Sequence, residues 1–223
     1  MKHSHRANDT VKRAADIIIS AALIVLLSPV LVITALLVRS RLGSPALFRQ
    51  QRPGRAGRLF TIYKFRSMRD APAMLDAVSA VGTDIDRLTP FGRRLRSTSL
   101  DELPELFNVL VGDMSLVGPR PLLTEYLDRY NTHQARRHEV RPGITGWAQV
   151  NGRNAVSWVD RLNMDVWYVD HRSLALDVRI LFMTVQAVFK REGVSSATHA
   201  TMEPFQPDDD ANVANAADQE DSR

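Results

Sequence analysis

Cysteine is absent from the 223 residues, which excludes disulfides and thiolate metal sites and leaves the compartment open. No Walker loop and no dinucleotide fingerprint occurs. The six histidines show no metal-ligand spacing such as His-Glu-x-x-His, and no internal repeat is visible. Acidic residues are scarce before the C-terminus. The chain has 29 basic and 25 acidic residues, a net charge of +4. Seven acidic residues and one basic residue lie from Glu203 onward. The preceding 202 residues therefore hold 28 basic and 18 acidic side chains, a net charge of +10. A basic body suits an anionic partner such as nucleic acid, a phosphorylated metabolite or an anionic lipid surface. The stretch "EPFQPDDDANVANAADQEDSR" has little to bury, and residues 196–223 are expected to form an acidic disordered tail. Its Asp208–Asp210 run reads as solvated charge rather than as a metal site. A hydrophobic content of 44% allows a sizeable core in one domain or two.

Charge is missing altogether from Ile17 to Val38, "IIISAALIVLLSPVLVITALLV", a run of 22 residues. One straight helix of that length would measure about 33 Å, enough to cross a hydrocarbon core of about 30 Å. Pro29, near its middle, removes a backbone hydrogen bond and clashes with the preceding turn. The Ser28 hydroxyl is placed to satisfy a freed carbonyl. Each arm is then roughly 17 Å and reaches only mid-bilayer. Lys12 and Arg13 precede the run, and Arg39 and Arg41 follow it, so both ends favour the cytoplasmic side. Entry and return on one side satisfies both observations; a kinked crossing is the alternative. The run exceeds a usual signal h-region and lacks a small-residue cleavage site. A soluble core helix seldom stays apolar on every face for six turns.

Beyond it, Leu47–Gln50 and Leu59–Phe65 read as a β-hairpin, with Pro53-Gly54 and Gly57 in the turn. Residues 71–80 read as helix and Thr83–Pro90 as a turn-rich link. Further helices are expected over about Ser99–Val111, Leu122–Glu139, Val156–Val169 and Asp177–Arg191, with "RPGITGWAQVNGRN" as a loop. The last helix presents Leu181, Phe182, Val185, Val188 and Phe189 on one face and ends in Lys190-Arg191. That pattern suits a membrane surface or a core contact equally.

Within "RSTSLDELPELFNVLVGDMSLVGPRP", Ser99 and Glu102 have capping-box spacing, and Asp101 suits a helix N-terminus. Neighbouring helical residues point about 100° apart, so the two carboxylates can hold different tasks. An Asp kept ionised by a helix terminus and nearby arginines suits a nucleophile or a Mg²⁺ ligand. Lys64, Arg66, Arg96, Arg120, Arg141 and Arg153 come from separate segments, three of them beside Pro or Gly. Arginine in a fixed backbone setting suits bidentate phosphate binding.

The motifs "YKFRSM", "RSTSLDELPELFNVLVGDMSLVGPRP", "RPGITGWAQVNGR" and "DVWYVDHRSLALDVRIL" resemble, in order, the bacterial sugar transferase family of monotopic polyprenyl-phosphate phosphoglycosyl transferases. The resemblance runs from about Lys12 to Phe189 and includes the family's re-entrant helix broken at Ser28-Pro29. Glu105 departs from it, because the family commonly has Gln there. The chain lacks the large N-terminal transmembrane region of longer members and looks like a catalytic-core form.

The resemblance implies transfer of a sugar-1-phosphate from a UDP-sugar to undecaprenyl phosphate, with UMP leaving. Asp101 falls on the family's nucleophile, which forms a covalent aspartyl-phosphosugar, and Glu102 on its dyad partner. Mg²⁺, held partly by Asp101, would neutralise the diphosphate. Lys64, Arg66, Arg96, Arg120, Arg141 and Arg153 are the phosphate-binding candidates. Asp165 and Tyr168, in "DVWYV", are further site candidates, the first of which also suits a structural role. The expected partners are UDP-sugar, undecaprenyl phosphate and membrane lipids, at the cytoplasmic face of the inner membrane. Nucleic acid is disfavoured because no recognition motif accompanies the membrane segment.

The expected fold is α+β and mostly helical. A mobile N-terminus (1–11) precedes a membrane-embedded helix-break-helix (12–41), and a catalytic domain with a small hairpin and interfacial amphipathic helices (42–195) precedes the tail. A non-catalytic membrane-surface binding or scaffold protein is the reading kept beside it. The sequence leaves the sugar and homo-oligomerisation open.

Overall fold

The computed structural model describes residues 2–69, 87–152 and 156–190, together with Phe205. The expected helix at 71–80, Arg153 and the rest of the acidic tail lie outside the described residues. The chain opens with helix α1 (Lys2–Leu26), which takes in residues 2–11 of the stretch expected to be a mobile N-terminus, and continues as α2 (Ser28–Leu42). The two are bent by 64° at Leu27. Pro29 lies in the first turn of α2, where its missing N–H leaves the Val25 carbonyl without a backbone donor. The Ser28 hydroxyl donates to that carbonyl at 2.8 Å, as the sequence suggested. No described helix alone is long and apolar enough to cross a membrane; the bent pair passes that test together. Much of the pair's apolar surface is bare: Val25 is 74% exposed and Leu36 62%.

The hairpin forms as expected but longer. Strand β1 (Leu47–Pro53) runs antiparallel to β2 (Leu59–Phe65), with Leu47 opposite Phe65 and Pro53 opposite Leu59. Helix α3 (Pro90–Ser97) begins where the expected turn-rich link ends, over residues to which no element was assigned. Thr89 caps it by accepting from Gly92 N–H, and Pro90 suits its first position.

The helix expected over Ser99–Val111 is two pieces. Leu100–Glu102 forms a 3₁₀ turn, and α4 (Glu105–Val111) starts after Pro104, which cannot continue the hydrogen-bond ladder. Leu122–Glu139 likewise divides into the 3₁₀ turn Thr124–Arg129, α5 (Thr132–Ala135) and the 3₁₀ turn Arg136–Glu139. The expected loop "RPGITGWAQVNGRN" contains β4 (Gly143–Thr145) and α6 (Trp147–Asn151). β4 pairs in parallel with β3 (Ser115–Val117), setting Ser115 opposite Gly143 and Val117 opposite Thr145. The close approach requires glycine. A Cβ on Gly118 would lie 2.4 Å from the Arg141 carbonyl, and one on Gly143 would lie 2.1 Å from Gly118 N. Helices α7 (Trp158–His171) and α8 (Leu174–Lys190) follow. On α8, Ile180 is buried while Val178, Phe182 and Val185 are exposed.

The main core joins Phe60, Ile62, Leu106, Val109, Met114, Leu116, Val117, Tyr168 and Ile180, with Leu23 and Ile24 of α1 packed against it. Polar contacts fasten α1 to the same body. Asp16 accepts from Leu116 N–H at 3.1 Å, and Lys12 pairs with Asp177 at 2.6 Å. Arg13 donates to the Val109 and Leu110 carbonyls at 2.6 and 3.0 Å, where the cation suits the C-terminal end of α4. A second cluster holds Leu122, Tyr126, Leu162 and Phe205. Phe205 is the exception to a tail with nothing to bury. It is fully buried against Tyr126, Tyr130 and Trp158, and Arg129 donates to its carbonyl at 2.7 Å.

Candidate active site

Asp101 and Glu102 sit on the 3₁₀ turn, and the preceding Ser99 adopts a left-handed φ of 56°. Such a backbone is strained for serine and persists only where its surroundings hold it. The Ser99 side chain makes no capping hydrogen bond, so the capping box read from Ser99 and Glu102 does not form. The Glu102 carboxylate turns instead to two cations. Its Oε1 accepts from Lys64 Nζ at 2.8 Å and from an Arg120 terminal nitrogen at 2.6 Å.

Each cation is positioned from a different element. Lys64 is the penultimate residue of β2, and the buried Asn108 of α4 fixes that strand. Its side-chain oxygen accepts from Tyr63 N–H at 3.1 Å, and its amide donates to the Thr61 carbonyl at 2.7 Å. Arg120 follows the β3–Gly118 turn. Its carbonyl accepts from Arg137 at 2.6 Å, and Arg137 forms a buried ion pair with Asp165 at 2.7 Å. Asp165 therefore acts one step removed, through Arg137 on the Arg120 backbone.

The paired carboxylates titrate apart. Burial alone would raise Glu102, but Arg120 and Lys64 outweigh it and hold the carboxyl well below the usual range. Asp101 is only 8% exposed and neither accepts a hydrogen bond nor forms an ion pair among the described residues. Burial and the Glu102 charge push it up to about 6, against the opposing pull of Lys64, Arg96 and Arg120. Glu105 is buried with its Oε1 2.9 Å from Lys64 Nζ, without a well-directed hydrogen bond. Burial pushes it up to about 7.

The other sequence candidates have different partners. Arg96 donates to Ser67 Oγ at 3.0 Å and to Met68 Sδ at 3.2 Å, and its charge still reaches Asp101. Arg66 is buried and donates to the Leu42 carbonyl at the end of α2. Arg141 donates to the Gly112 carbonyl at 2.9 Å. Tyr168 donates to Asp177 at 2.7 Å and to the Val117 carbonyl at 3.2 Å. The structure thus gathers Asp101, Glu102, Lys64 and Arg120, with Arg96 at the margin. Sequence reasoning missed Arg52. Its guanidinium is pushed down to about 10 by burial and by Arg120, and its Nε is buried without a partner. It stands opposite Phe60 in the hairpin register, a pairing beyond the strand expected to end at Gln50.

Residues 7–191 match the family described as bacterial sugar transferase. The chain belongs to that family. It is 50% identical over 195 residues to the sugar transferase EpsL of Bacillus subtilis (strain 168), covering 87% of this chain and 95% of EpsL. It is 41% identical over 202 residues to the undecaprenyl-phosphate galactose phosphotransferase of Salmonella typhimurium, covering 84% of this chain and 42% of that protein. The UDP-glucose:undecaprenyl-phosphate glucose-1-phosphate transferase of Klebsiella pneumoniae is 41% identical over 186 residues, covering 80% of this chain and 40% of that relative. The chain therefore spans about two fifths of the length of these two longer relatives.

Mg²⁺ is the metal that the resemblance read from the sequence implied. Magnesium takes one or two carboxylates and completes its shell with phosphate oxygens and water. Asp101 offers one hard carboxylate without a partner among the described residues, which fits the lower end of that count; Glu102 is committed to Lys64 and Arg120. Among the described residues no cluster of three or more metal-ligating side chains occurs, so substrate oxygens would supply the remainder.

Proposed function

We propose that this bacterial sugar transferase moves a sugar-1-phosphate from a UDP-sugar to undecaprenyl phosphate. The product is undecaprenyl-diphosphate-sugar, made at the first membrane step of a surface or exported glycan. The observation that carries the reading is the division of labour between adjacent carboxylates. Glu102 pairs with two cations and stays ionised, while Asp101 has no hydrogen-bond or ion-pair partner among the described residues and stands available to attack.

In the first step an Asp101 oxygen attacks the phosphorus that bears the sugar. The bond from that phosphorus to the bridging oxygen breaks, and the electron pair leaves on UMP. In the second step an oxygen of undecaprenyl phosphate attacks the same phosphorus and releases the Asp101 carboxylate. No external oxidant or proton donor is needed for this balance. Lys64 and Arg120, held by Glu102, stabilise charge on the phosphoryl oxygens, and such transfers depend chiefly on positioning and charge. When bound, Mg²⁺ held in part by Asp101 would neutralise the diphosphate.

The bent pair α1–α2 enters the bilayer and returns, on this reading, so the catalytic body lies at the cytoplasmic face. The exposed apolar side of α8 rests on the same surface. The longer relatives' names state undecaprenyl-phosphate sugar transfer, which supports the acceptor assignment.

The test is release of UMP from a panel of UDP-sugars with undecaprenyl phosphate and Mg²⁺. One donor should give UMP together with a lipid-linked sugar. Absence of UMP with every donor would favour the scaffold reading instead.

A further inference from the structure

A second group of cations gathers away from Glu102. Arg13 comes from α1, Arg55 from the hairpin turn and Arg141 from the segment before β4, and all three line one cleft. Lys12 and Arg172 line it too. Its three acidic side chains have other commitments. Asp16 binds Leu116 N–H, Glu139 pairs with Arg136 at 3.0 Å, and Asp9 lies 3.5 Å from Arg172. Lys12 is likewise matched by Asp177. None of Arg13, Arg55 and Arg141 has a carboxylate within 4.0 Å among the described residues, and Arg55 makes no side-chain hydrogen bond there.

Like charges held together without a counter-charge are unfavourable, and Arg141 registers this. Burial lowers its affinity for the proton, and Arg13 and Arg55 lower it further. Ser115 adds an independent observation. It is 1% exposed, its Oγ has no hydrogen-bond partner among the described residues, and it lines the same cleft. Buried hydroxyls without partners are uncommon in folded proteins. Arg13 donates to the Val109 and Leu110 carbonyls and Arg141 to the Gly112 carbonyl, but a guanidinium has five N–H donors, so both keep donors to spare. With Arg55 and the unpaired hydroxyl they complement a tetrahedral oxyanion.

We propose that Arg13, Arg55, Arg141 and Ser115 form a phosphate-binding site separate from the Asp101 centre. None of Asp101, Glu102, Lys64, Arg96 and Arg120 lines the cleft. The charges felt by Arg141 are those of Arg13, Arg55, Asp16 and Asp9, not those of the catalytic group. Its location also matters. Asp16 ends the polar part of α1, and Ile17, Ile18 and Ile19 are exposed directly after it. The cleft therefore stands at the level where apolar helix begins, which is headgroup height if α1 enters a bilayer. The headgroup source rests on that membrane reading; the phosphate chemistry does not.

The test titrates the full chain in neutral detergent with dioctanoyl phosphatidylglycerol, dioctanoyl phosphatidylcholine and inorganic phosphate, followed by calorimetry. Arg55→Ala and Ser115→Ala are the variants. The first is exposed and unbonded, and the second removes only an unpaired oxygen, so melting curves should stay close to wild type. Wild type should bind phosphatidylglycerol saturably at one site, and each variant should weaken it about tenfold. Tight binding of the lipid with weak inorganic phosphate identifies a headgroup site. Equal binding of both, lost in Arg55→Ala, identifies a soluble phosphate source, and either result supports the site. Binding of neither anion, or binding unchanged in both variants, overturns it. Sedimentation with phosphatidylcholine vesicles is the separate control. Failure to sediment would remove the membrane reading while leaving the detergent titration to decide the phosphate site.

Discussion

Arg120 donates to Glu102 Oε1 at 2.6 Å, whereas Asp101, one residue earlier, receives no hydrogen bond among the described residues. A two-cation clamp on one carboxylate and none on its neighbour is the asymmetry a covalent mechanism needs. An attacking carboxylate tied to Lys64 and Arg120 would hold its electron pairs in those bonds.

Asp101→Asn should therefore lower the rate of UMP release by at least about 10³-fold while leaving the melting temperature near wild type. Near wild-type turnover would remove Asp101 from the nucleophile's place. Glu102→Gln should lower the rate by about 10²-fold or more, because two cations lose their shared anion.

Chelation should stop the reaction and Mg²⁺ should restore it, since an unscreened diphosphate repels an anionic nucleophile. Full activity after exhaustive EDTA treatment would exclude Asp101 from a metal role.

Asp165→Asn is expected to destabilise the fold by about 3–5 kcal/mol, because it leaves the Arg137 charge buried and unpaired. Both side chains are at most 4% exposed. Chemical denaturation measures this directly. Since Arg137 also holds the Arg120 carbonyl, the residual folded protein should show a reduced maximal rate. Unchanged stability would mean that the pair is dispensable.

Glu105 supplies a pH dependence. Its folded pKa, about 7, lies above the unfolded carboxylate value, so the folded state holds the proton more tightly. The stability this gives is full below about pH 4.5 and is lost as pH rises through about 7, on the order of 3 kcal/mol. Glu105→Gln should flatten that loss and raise the melting temperature at pH 8 relative to wild type. Parallel pH profiles for the two proteins would contradict the assignment.

Single cysteines at Asn8 and Ser44 report topology in a chain that has none of its own. On the re-entrant reading, both stay protected from an impermeant thiol reagent until the cytoplasm is opened. Labelling of Asn8 alone in intact cells would establish a crossing helix. Pro29→Ala removes the ring opposed to the Val25 carbonyl and should shift the chain toward crossing.

What was legible in the sequence had a local cause. Pro29 with Ser28 announced the break, and Pro53-Gly54 and Gly57 between two strand-like runs announced the hairpin. The helix over Ser99–Val111 was overdrawn because its apolar periodicity continues through Pro104 although the backbone does not. β3 and β4 are three residues each, too short to show alternation, and the glycine contact that joins them links positions 25 residues apart in sequence. The charges of the candidate site were readable as a set. Their pairing was not: Asp165 finds Arg137, 28 residues away, and Tyr168 finds Asp177, although neither spacing follows helical periodicity.

Arg13 grips the end of α4, and α4 begins three residues after Glu102. Helix α1 and the 3₁₀ turn that carries Asp101 are thus joined through α4. On the re-entrant reading, the catalytic centre works as a depth gauge, holding Asp101 at a constant height above the hydrocarbon. Acceptors would be sorted by where their phosphate floats relative to the bilayer, independently of how long their tails are.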